Sequence, residues 1–527
     1  MVTVEELTTF CKKKGLVFAT SEIYGGIAGF FDYGPIGVEL KNNIKKEWWT
    51  YHVQQRQDVV GIDGSIIAHP TVWIASGHVN GFSDVLVSCT KCNERFRADV
   101  LIEDLLNISA SSLTLSDINE FIRTKNLKCT KCKSPLGEAS AFNLMFQTFV
   151  GPKQDKDAIA YLRPETAQLM FANFKLVAET ARCKLPFGIA QIGKAFRNEI
   201  SPRNFLFRMR EFEQMEIEYF IHPDKHDECP FIKHVLEYEL LILSSESQIK
   251  GTSATKMTIA AALENNIIQS PWHAYWLATE HNWFVKLGCN PEHIRVRQHV
   301  TEEKAHYAKD TWDLEYEFPF GWKELQGIAD RSDYDLQQHI KNSGKDLSLY
   351  DEETKKKIVP HVVAEPSTGV DRAFLLFLCE AYLYSKERDY VVLRLHPALA
   401  PVKAAIFPLL SNKEELTKLA HKIYEDIRED FPAQYDTSGS VGRRYARADE
   451  IGIPYCITID FDSITNKDVT IRDRDTASQI RVPIKQLQQR LCQLLKQEIA
   501  FEKAGVLVKK ENNTQHNSDD PTSNTQN

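Results

Sequence analysis

The chain has 527 residues, 43% of them hydrophobic and 26% charged, which supplies apolar material for several cores and excludes a disordered, collagenous or disulfide-stapled chain. Its 64 Lys and Arg against 72 Asp and Glu leave a formal charge of −8, so a nucleic-acid partner would have to be held by local patches rather than by bulk positive charge. No run of about 18 apolar residues occurs, and MVTVEELTTFCKKKG at the N-terminus lacks the apolar stretch of a signal peptide, so a cytoplasmic chain without a membrane partner is expected.

Along the chain, Gly25-Gly26, Gly29 and Asp32-Tyr33-Gly34-Pro35 punctuate the start, and a helix is expected from about Val38 to Trp49. Two CxxC pairs follow, Cys89-Thr90-Lys91-Cys92 and Cys129-Thr130-Lys131-Cys132, separated by 36 residues. Four thiolates in two such turns can close a tetrahedral Zn²⁺ site with no open position, so a structural metal is expected at Cys89, Cys92, Cys129 and Cys132; the alternative is two unrelated or redox pairs. The other seven of the 11 cysteines are scattered singly, as reduced thiols would be.

FGIAQIGKAFRNEI and FRMREFEQMEIEYF, separated by the turn-forming Ser201-Pro202-Arg203-Asn204, read as a long antiparallel hairpin. Alternation places Arg197 and Glu199 on one face of the first strand, and Arg208, Arg210, Phe212, Gln214, Glu216 and Glu218 on one face of the second. That second face sets out a cation, an aromatic ring and a carboxylate at steps of about 13 Å along an extended strand. Such a face can hold a phosphate chain, stack a base and bind an ammonium group, although a solvated face of mixed charge has the same pattern.

Residues 226–315, rich in Trp, His and charge, read as a helical insertion, and 86–140 around the cysteines as a second one. In His361-Val362-Val363-Ala364-Glu365-Pro366-Ser367-Thr368-Gly369-Val370-Asp371-Arg372 an apolar strand ends at a turn, and the helix AFLLFLCEAYL follows. Arg372 falls in the first turn of that helix, where a cation is electrostatically disfavoured; a guanidinium placed there suits an anion or a purine ring. From Val391 to about residue 507, short apolar strands alternate with helices, as in an α/β domain, and residues 508–527 read as a disordered tail. The stretch 391–510 holds 19 basic against 16 acidic residues, a mildly basic domain in an acidic chain.

FRNE at Phe196–Glu199 and Gly369–Arg372 with its helix resemble motifs 2 and 3 of class II aminoacyl-tRNA synthetases. The longer strings SEIYGGIAGFFDYGPIGVELKNNI, YLRPETAQ, FRNEISPRNFLFRMREFEQMEIE, GWKELQGIADRSDYDL and VAEPSTGVDR, in order from about residue 20, resemble the glycyl-tRNA synthetases of the α2 homodimer type. Asn204-Phe205-Leu206 and Glu213-Gln214-Met215-Glu216 are closer to bacterial members. The resemblance implies an α+β catalytic core with an antiparallel sheet over 1–390, and an α/β anticodon-binding domain over 391–507. It also implies ATP and Mg²⁺ as cofactors, glycine and tRNA(Gly) as partners, and a homodimer joined through the helix after Gly34-Pro35.

Residue by residue, the same resemblance implies catalytic roles for Arg197, Glu199 and Arg372. ATP would meet Arg197, Asn198, Glu199, Arg208, Met209, Phe212, Glu324, Leu325 and Arg372, with Glu324 as the Mg²⁺ ligand. Glycine would meet Glu165, Glu216, Arg331, Glu365, Pro366 and Ser367, its ammonium at the carboxylates and its carboxylate at Arg331. Arg443, Arg444, Arg447, Arg472 and Arg474 are the candidates for the tRNA-binding face. Another synthetase of the same subclass and a non-catalytic, synthetase-like binding subunit are the competing readings.

Overall fold

Among the described residues, nine strands of the first unit form one sheet: β1 (Val59–Gly61), β2 (Phe187–Phe196), β3 (Glu211–Ile221), β4 (Glu239–Leu243), β5 (Thr255–Thr258), β6 (Ile294–Gln298), β7 (Thr311–Phe318), β8 (Gly321–Ala329) and β9 (His361–Gly369). Their order is β5-β4-β6-β7-β8-β9-β3-β2-β1, antiparallel except for the parallel pairs β4–β6 and β1–β2. The computed structural model describes residues 2–106, 108, 110, 113–300, 303 and 309–508, so the expected tail lies outside the described residues apart from Val508. Two units are distinct: one runs to Tyr384 and takes in Ala398–Pro401, the other holds Ser385–Pro397 and the described residues from Val402 on.

The expected hairpin is β2–β3, paired from Phe187↔Phe220 to Phe196↔Glu211. The strands are shorter than the sequence pattern suggests: Arg197, Glu199, Arg208 and Arg210 lie in the connection, where the Arg197 N–H still donates to Arg210 O at 2.9 Å. Asn204 and Phe205 take left-handed backbone there, a conformation that Asn tolerates and a bulky residue seldom adopts. The turn is therefore strained where it approaches the site.

Among the described residues, the three longest helices of the first unit lie around the sheet. In α1 (Pro35–Trp49), Pro35 opens the first turn and Leu40, Ile44 and Trp48 bury one face at helical spacing. In α2 (Pro271–Lys286), capped by the Ser270 side chain, nearly every position from Trp272 to Phe284 is buried. α3 (Val370–Ala381) follows β9 directly and buries Phe374, Leu375 and Leu378.

The stretch 226–315 is not a helical insertion. It supplies β4, β5, β6 and part of β7 as well as α2, extending the sheet to its edge. Four- and five-residue apolar runs such as ELLIL carry too little alternation to stand out beside a long aromatic-rich helix. Around the cysteines, strands Ser83–Ser88, Arg95–Arg97 and Ser140–Asn143 form an antiparallel sheet, and helices Ala98–Leu106 and Leu115–Thr124 close a small core of Val87, Leu101, Ile102, Ile118 and Ile122.

The second unit carries a six-stranded sheet in which Ala433–Tyr435, Ala404–Pro408 and Tyr455–Ile459 run parallel, and Asp468–Asp473, Gln479–Pro483 and Val506–Leu507 continue it antiparallel. Helix Glu414–Arg428 packs Leu416, Ala420, Ile423 and Ile427 against it, and helix Leu487–Leu495 packs Leu487, Leu491 and Leu494. The strand in VVLRLHP, Tyr390–Leu393, stays outside this sheet.

Candidate active site

The connection between β2 and β3, the start of α3 and strand β8 enclose a cavity of about 370 Å³. Its wall includes Arg197, Glu199, Arg208, Met209, Phe212, Glu324, Leu325 and Arg372, eight of the nine residues expected at the nucleotide. Asn198 is not on that wall; its N–H donates to Leu144 O at 2.8 Å, because the chain turns away from the sheet there. Leu206, Phe207, Gln214, Asp371 and Arg97 complete much of the lining; none was expected at the nucleotide, although alternation had placed Gln214 on the same strand face as Phe212.

Arg197 lies between two rings, with its guanidinium carbon 5.4 Å from the centre of Phe82 and 5.3 Å from that of Phe212, and its Nε donates to Pro164 O at 3.1 Å. The Phe212 ring thus meets a guanidinium as well as the open cavity. Arg208 Nε donates to the buried Glu199 carboxylate at 2.7 Å. Arg372 lies 4.6 Å from the centre of the Phe207 ring and reaches Glu324 Oε1 at 3.1 Å. That contact, ahead of the opposing cost of burial, lowers the Glu324 carboxyl below its ordinary range.

The unfavourable place of Arg372 at a helix N-terminus is offset by its neighbours. Asp371, buried beside it, accepts from Tyr33 Oη, from Lys41 Nζ at 2.8 Å and from the Glu213 N–H at 2.8 Å. A carboxylate in the first helical turn interacts well with the dipole and fixes α3 to both β3 and α1.

Deeper on the same face the chemistry inverts. Glu216 pairs in register with Gln191 on β2 and Ser367 on β9, and Ser367 with Gly327 on β8. Carboxylate oxygens of Glu216, Glu218 and Glu365 lie within 4.8 Å of one another, and all three residues are buried. Glu216 accepts from the Thr166 hydroxyl and Glu365 from Arg331 Nη1 at 2.9 Å. Neither oxygen of Glu218 has a hydrogen-bond partner among the described residues, and the same holds for both polar atoms of the Gln191 side chain.

Burial is the main cause that raises Glu216 and Glu218 above the ordinary carboxyl range and pushes Glu365 up to about 8, with the neighbouring carboxylates adding to it. Glu165 goes the other way: burial opposes its charge, but His78 at 3.3 Å, Arg331 and Gln168 outweigh it and lower the group. The site therefore holds carboxyls of opposite character side by side. Thr166, Gln168 and His78 belong to this cluster without having been singled out from sequence; Glu218, which alternation had placed on the same face of β3 as Glu216, joins it without having been expected at glycine.

Arg331 and Pro366, two of the residues expected at glycine, are both buried. Arg331 gives Nε and Nη2 to Asp335 at 2.7 and 2.9 Å and Nη1 to Glu365 at 2.9 Å, pairing with carboxylates of the cluster. Pro366 is buried in β9 opposite Ile328 and contributes shape, while Ser367 Oγ accepts from Gln214 at 3.3 Å where the two ends of the site meet.

The four cysteines converge: Sγ atoms of Cys89 and Cys132 are 3.4 Å apart, of Cys92 and Cys132 3.5 Å, and of Cys92 and Cys129 3.7 Å. A tetrahedron with metal–sulfur bonds of about 2.3 Å has edges of this size. The N–H groups of Lys91 and Cys92 approach Cys89 Sγ at 3.4 and 3.5 Å, the turn in which a thiolate is stabilised.

In the second unit three of the five candidate arginines are interior. Arg472 is paired with Asp449 at 2.8 and 2.9 Å; Arg474 donates to Gly452 O and Leu395 O; Arg444 donates to Pro408 O and Gly439 O. They hold loops and strands together and cannot present a face to RNA, since a buried guanidinium is kept only where its donors are satisfied within the fold. Arg443 and Arg447 are exposed, the latter paired with Asp436.

Comparison with known proteins agrees with this geometry. Residues 148–246 match the model of the tRNA synthetase class II core domain (G, H, P, S and T), and 403–494 that of the anticodon binding domain. The glycine–tRNA ligase of Caldanaerobacter subterraneus subsp. tengcongensis is 47% identical over 503 residues, 94% of this chain and 99% of the relative. Those of Ruminiclostridium cellulolyticum and Clostridium acetobutylicum are 46% and 45% identical, over 92% and 94% of this chain and 97% and 99% of theirs. With identity of this level over almost its whole length, on a sheet that carries the motif residues in one cavity, the chain belongs to the glycine–tRNA ligase family of class II aminoacyl-tRNA synthetases.

Proposed function

We propose that this protein joins glycine to tRNA(Gly) in two steps: glycine and ATP form glycyl-adenylate with release of pyrophosphate, and the glycyl group then passes to the 3′ end of the tRNA. The observation that carries the reading is the polarity of one face of β3. Its Phe212 end is rimmed by Arg197, Arg208 and Arg372, and its Glu216 end by three buried carboxyls, with Gln214 and Ser367 between.

The first step is attack by the glycine carboxylate on the α-phosphorus, so the protein contributes position and charge. Arg197, held between Phe82 and Phe212, is placed to meet the α-phosphate and the attacking carboxylate together. Arg208 and Glu199 act as a pair toward the outer phosphates and the adenine amino group, and Arg372 covers the base. The Glu324 carboxylate, held ionised by Arg372, fits a magnesium ion arriving with ATP, which would screen the phosphate charge.

The glycine ammonium is assigned to Glu216, Glu365 and Glu165, with Ser367 beside them. A substrate without a side chain is selected by walls that leave no room for a Cβ. Zinc fits the four-cysteine site by donor type and spacing, and would lock the turn between two strands of the insertion. The family resemblance supports pairing as a homodimer through the region of α1 and residence in the cytoplasm. No helix among the described residues is long and apolar enough to cross a membrane.

Glycine-dependent exchange of pyrophosphate into ATP, run beside alanine and serine, tests the reading. Exchange with glycine alone is expected; equal exchange with alanine, or none with any amino acid, would overturn it.

A further inference from the structure

We infer that Arg97, carried by the cysteine-bearing insertion, is a further binding residue for the outer phosphates of the nucleotide. The inference rests on the nucleotide reading of the cavity above. Arg97 shares the wall of that cavity with Arg197, Arg208 and Arg372, although it comes from a separate small sheet.

The insertion reaches the cavity through one hairpin. Strand Ser83–Ser88 pairs with Arg95–Arg97 in the register Leu86↔Arg97 and Ser88↔Arg95, and Cys89 and Cys92 form the turn between them. One strand carries Asp84 and the other ends at Arg97. Asp84 Oδ2 lies 3.2 Å from Arg97 Nη1 and 3.4 Å from Arg208 Nη2, so a single carboxylate oxygen holds two guanidinium groups at the rim. Arg97 is also held by Asp99 in a two-pronged pair, Nε donating to Oδ1 at 3.1 Å and Nη2 to Oδ2, and Arg208 Nε donates to Glu199; unlike the buried Arg331, the Arg97 side chain keeps 20% of its surface exposed on the cavity wall.

Two like charges drawn to one oxygen repel each other, and such an arrangement is favourable where a polyanion enters between them. The contacts to Asp84 are the longest in the network, and burial raises the Asp84 carboxyl despite both arginines, so its hold is the first to yield when a phosphate oxygen competes. The Asp99 contact would keep Arg97 oriented meanwhile. A metal in the four-cysteine site would fix the turn of this hairpin, so its removal is expected to slacken the grip on ATP.

The test is isothermal titration of the full-length protein with ATP, inorganic pyrophosphate and AMP, without glycine, for the parent, Arg97→Ala, Arg97→Gln, Arg97→Lys and Arg372→Ala. Losing a charge-assisted contact should weaken ATP and pyrophosphate binding by about tenfold in Arg97→Ala and Arg97→Gln, with less loss in Arg97→Lys. AMP, which lacks the outer phosphates, should bind all three Arg97 variants within about twofold of the parent, the range expected for a site otherwise intact. Protein stripped of metal by a chelator and returned to buffer with Mg²⁺ should lose affinity for ATP more than for AMP. ATP and pyrophosphate affinities at the parent level in the Arg97 variants, or an equal loss for AMP, would overturn the assignment. A parent that binds no ATP, or an Arg372→Ala variant that binds it normally, would instead overturn the nucleotide reading, and Arg97 with it.

Discussion

Arg331 and Asp335 form a two-pronged pair, Nε to Oδ2 at 2.7 Å and Nη2 to Oδ1 at 2.9 Å, with both side chains buried. Nη1 of the same guanidinium donates to Glu365 at 2.9 Å. Removing Asp335 takes away the two-pronged partner of a buried cation, and burial resists the charge of Glu365 beside it. Asp335→Ala is therefore expected to lower the unfolding free energy by about 3–5 kcal/mol, as for other broken buried pairs. Urea denaturation measures it, and a loss under about 1 kcal/mol would mean that Arg331 finds another partner.

Glu365 yields a prediction about pH. Its folded value is pushed up to about 8 from an ordinary 4.5, by burial first and by Glu216 and Glu165 next, against the pull of Arg331. Across that window the folded protein keeps a proton that the unfolded chain has lost, so stability from this group is complete below the unfolded value and disappears as pH rises through the folded one. Relative to Glu365→Gln, which stays neutral, the parent should lose stability between about pH 5 and 8 by up to about 1.4 kcal/mol per unit. An ammonium favours the ionised carboxylate, so glycine binding near neutrality should release protons, seen as a heat that depends on buffer. A difference between parent and variant that is flat with pH would contradict the assignment.

The hairpin was legible in the sequence because strands of ten and eleven residues leave a long signal: Phe212 and Glu216 lie on the strand where alternation puts them, whereas Arg197, expected on the first strand, follows its end at Phe196. β4 and β5 were not, since runs of four and five residues are too short to show a period beside α2. Pairings across distant segments were invisible as well. Nothing in ADRSDYDL says that Arg331 faces Asp335 and Glu365, and nothing near Cys89 says that Asp84 and Arg97 meet Arg208; those contacts depend on which strands become neighbours.

The four-cysteine site predicts one zinc per chain by elemental analysis of purified protein. Cys129→Ser, at a buried ligand position, should abolish binding and make the insertion the first part to open in hydrogen exchange, because its small core has little else to close it. Fully reduced thiols without metal in the parent would exclude a structural zinc.

The anticodon-binding unit separates structural from RNA-facing arginines. Asp449, with no solvent exposure, accepts both prongs of Arg472 and also Arg388 Nη1 at 3.0 Å and Tyr390 Oη at 2.9 Å. Arg472→Ala should therefore cost about 3–5 kcal/mol of stability, since the carboxylate stays buried with half its hydrogen bonds gone. Exposed Arg443, by contrast, should leave stability within about 0.5 kcal/mol when changed to Ala. If it meets a phosphate of tRNA, Arg443→Ala lowers affinity and flattens its dependence on salt by about one contact. Filter binding across a salt series, beside denaturation of both variants, separates the two roles. A stable Arg472→Ala protein with weakened tRNA binding would show that Arg472 leaves Asp449 for the RNA, which the pairing at 2.8 and 2.9 Å argues against.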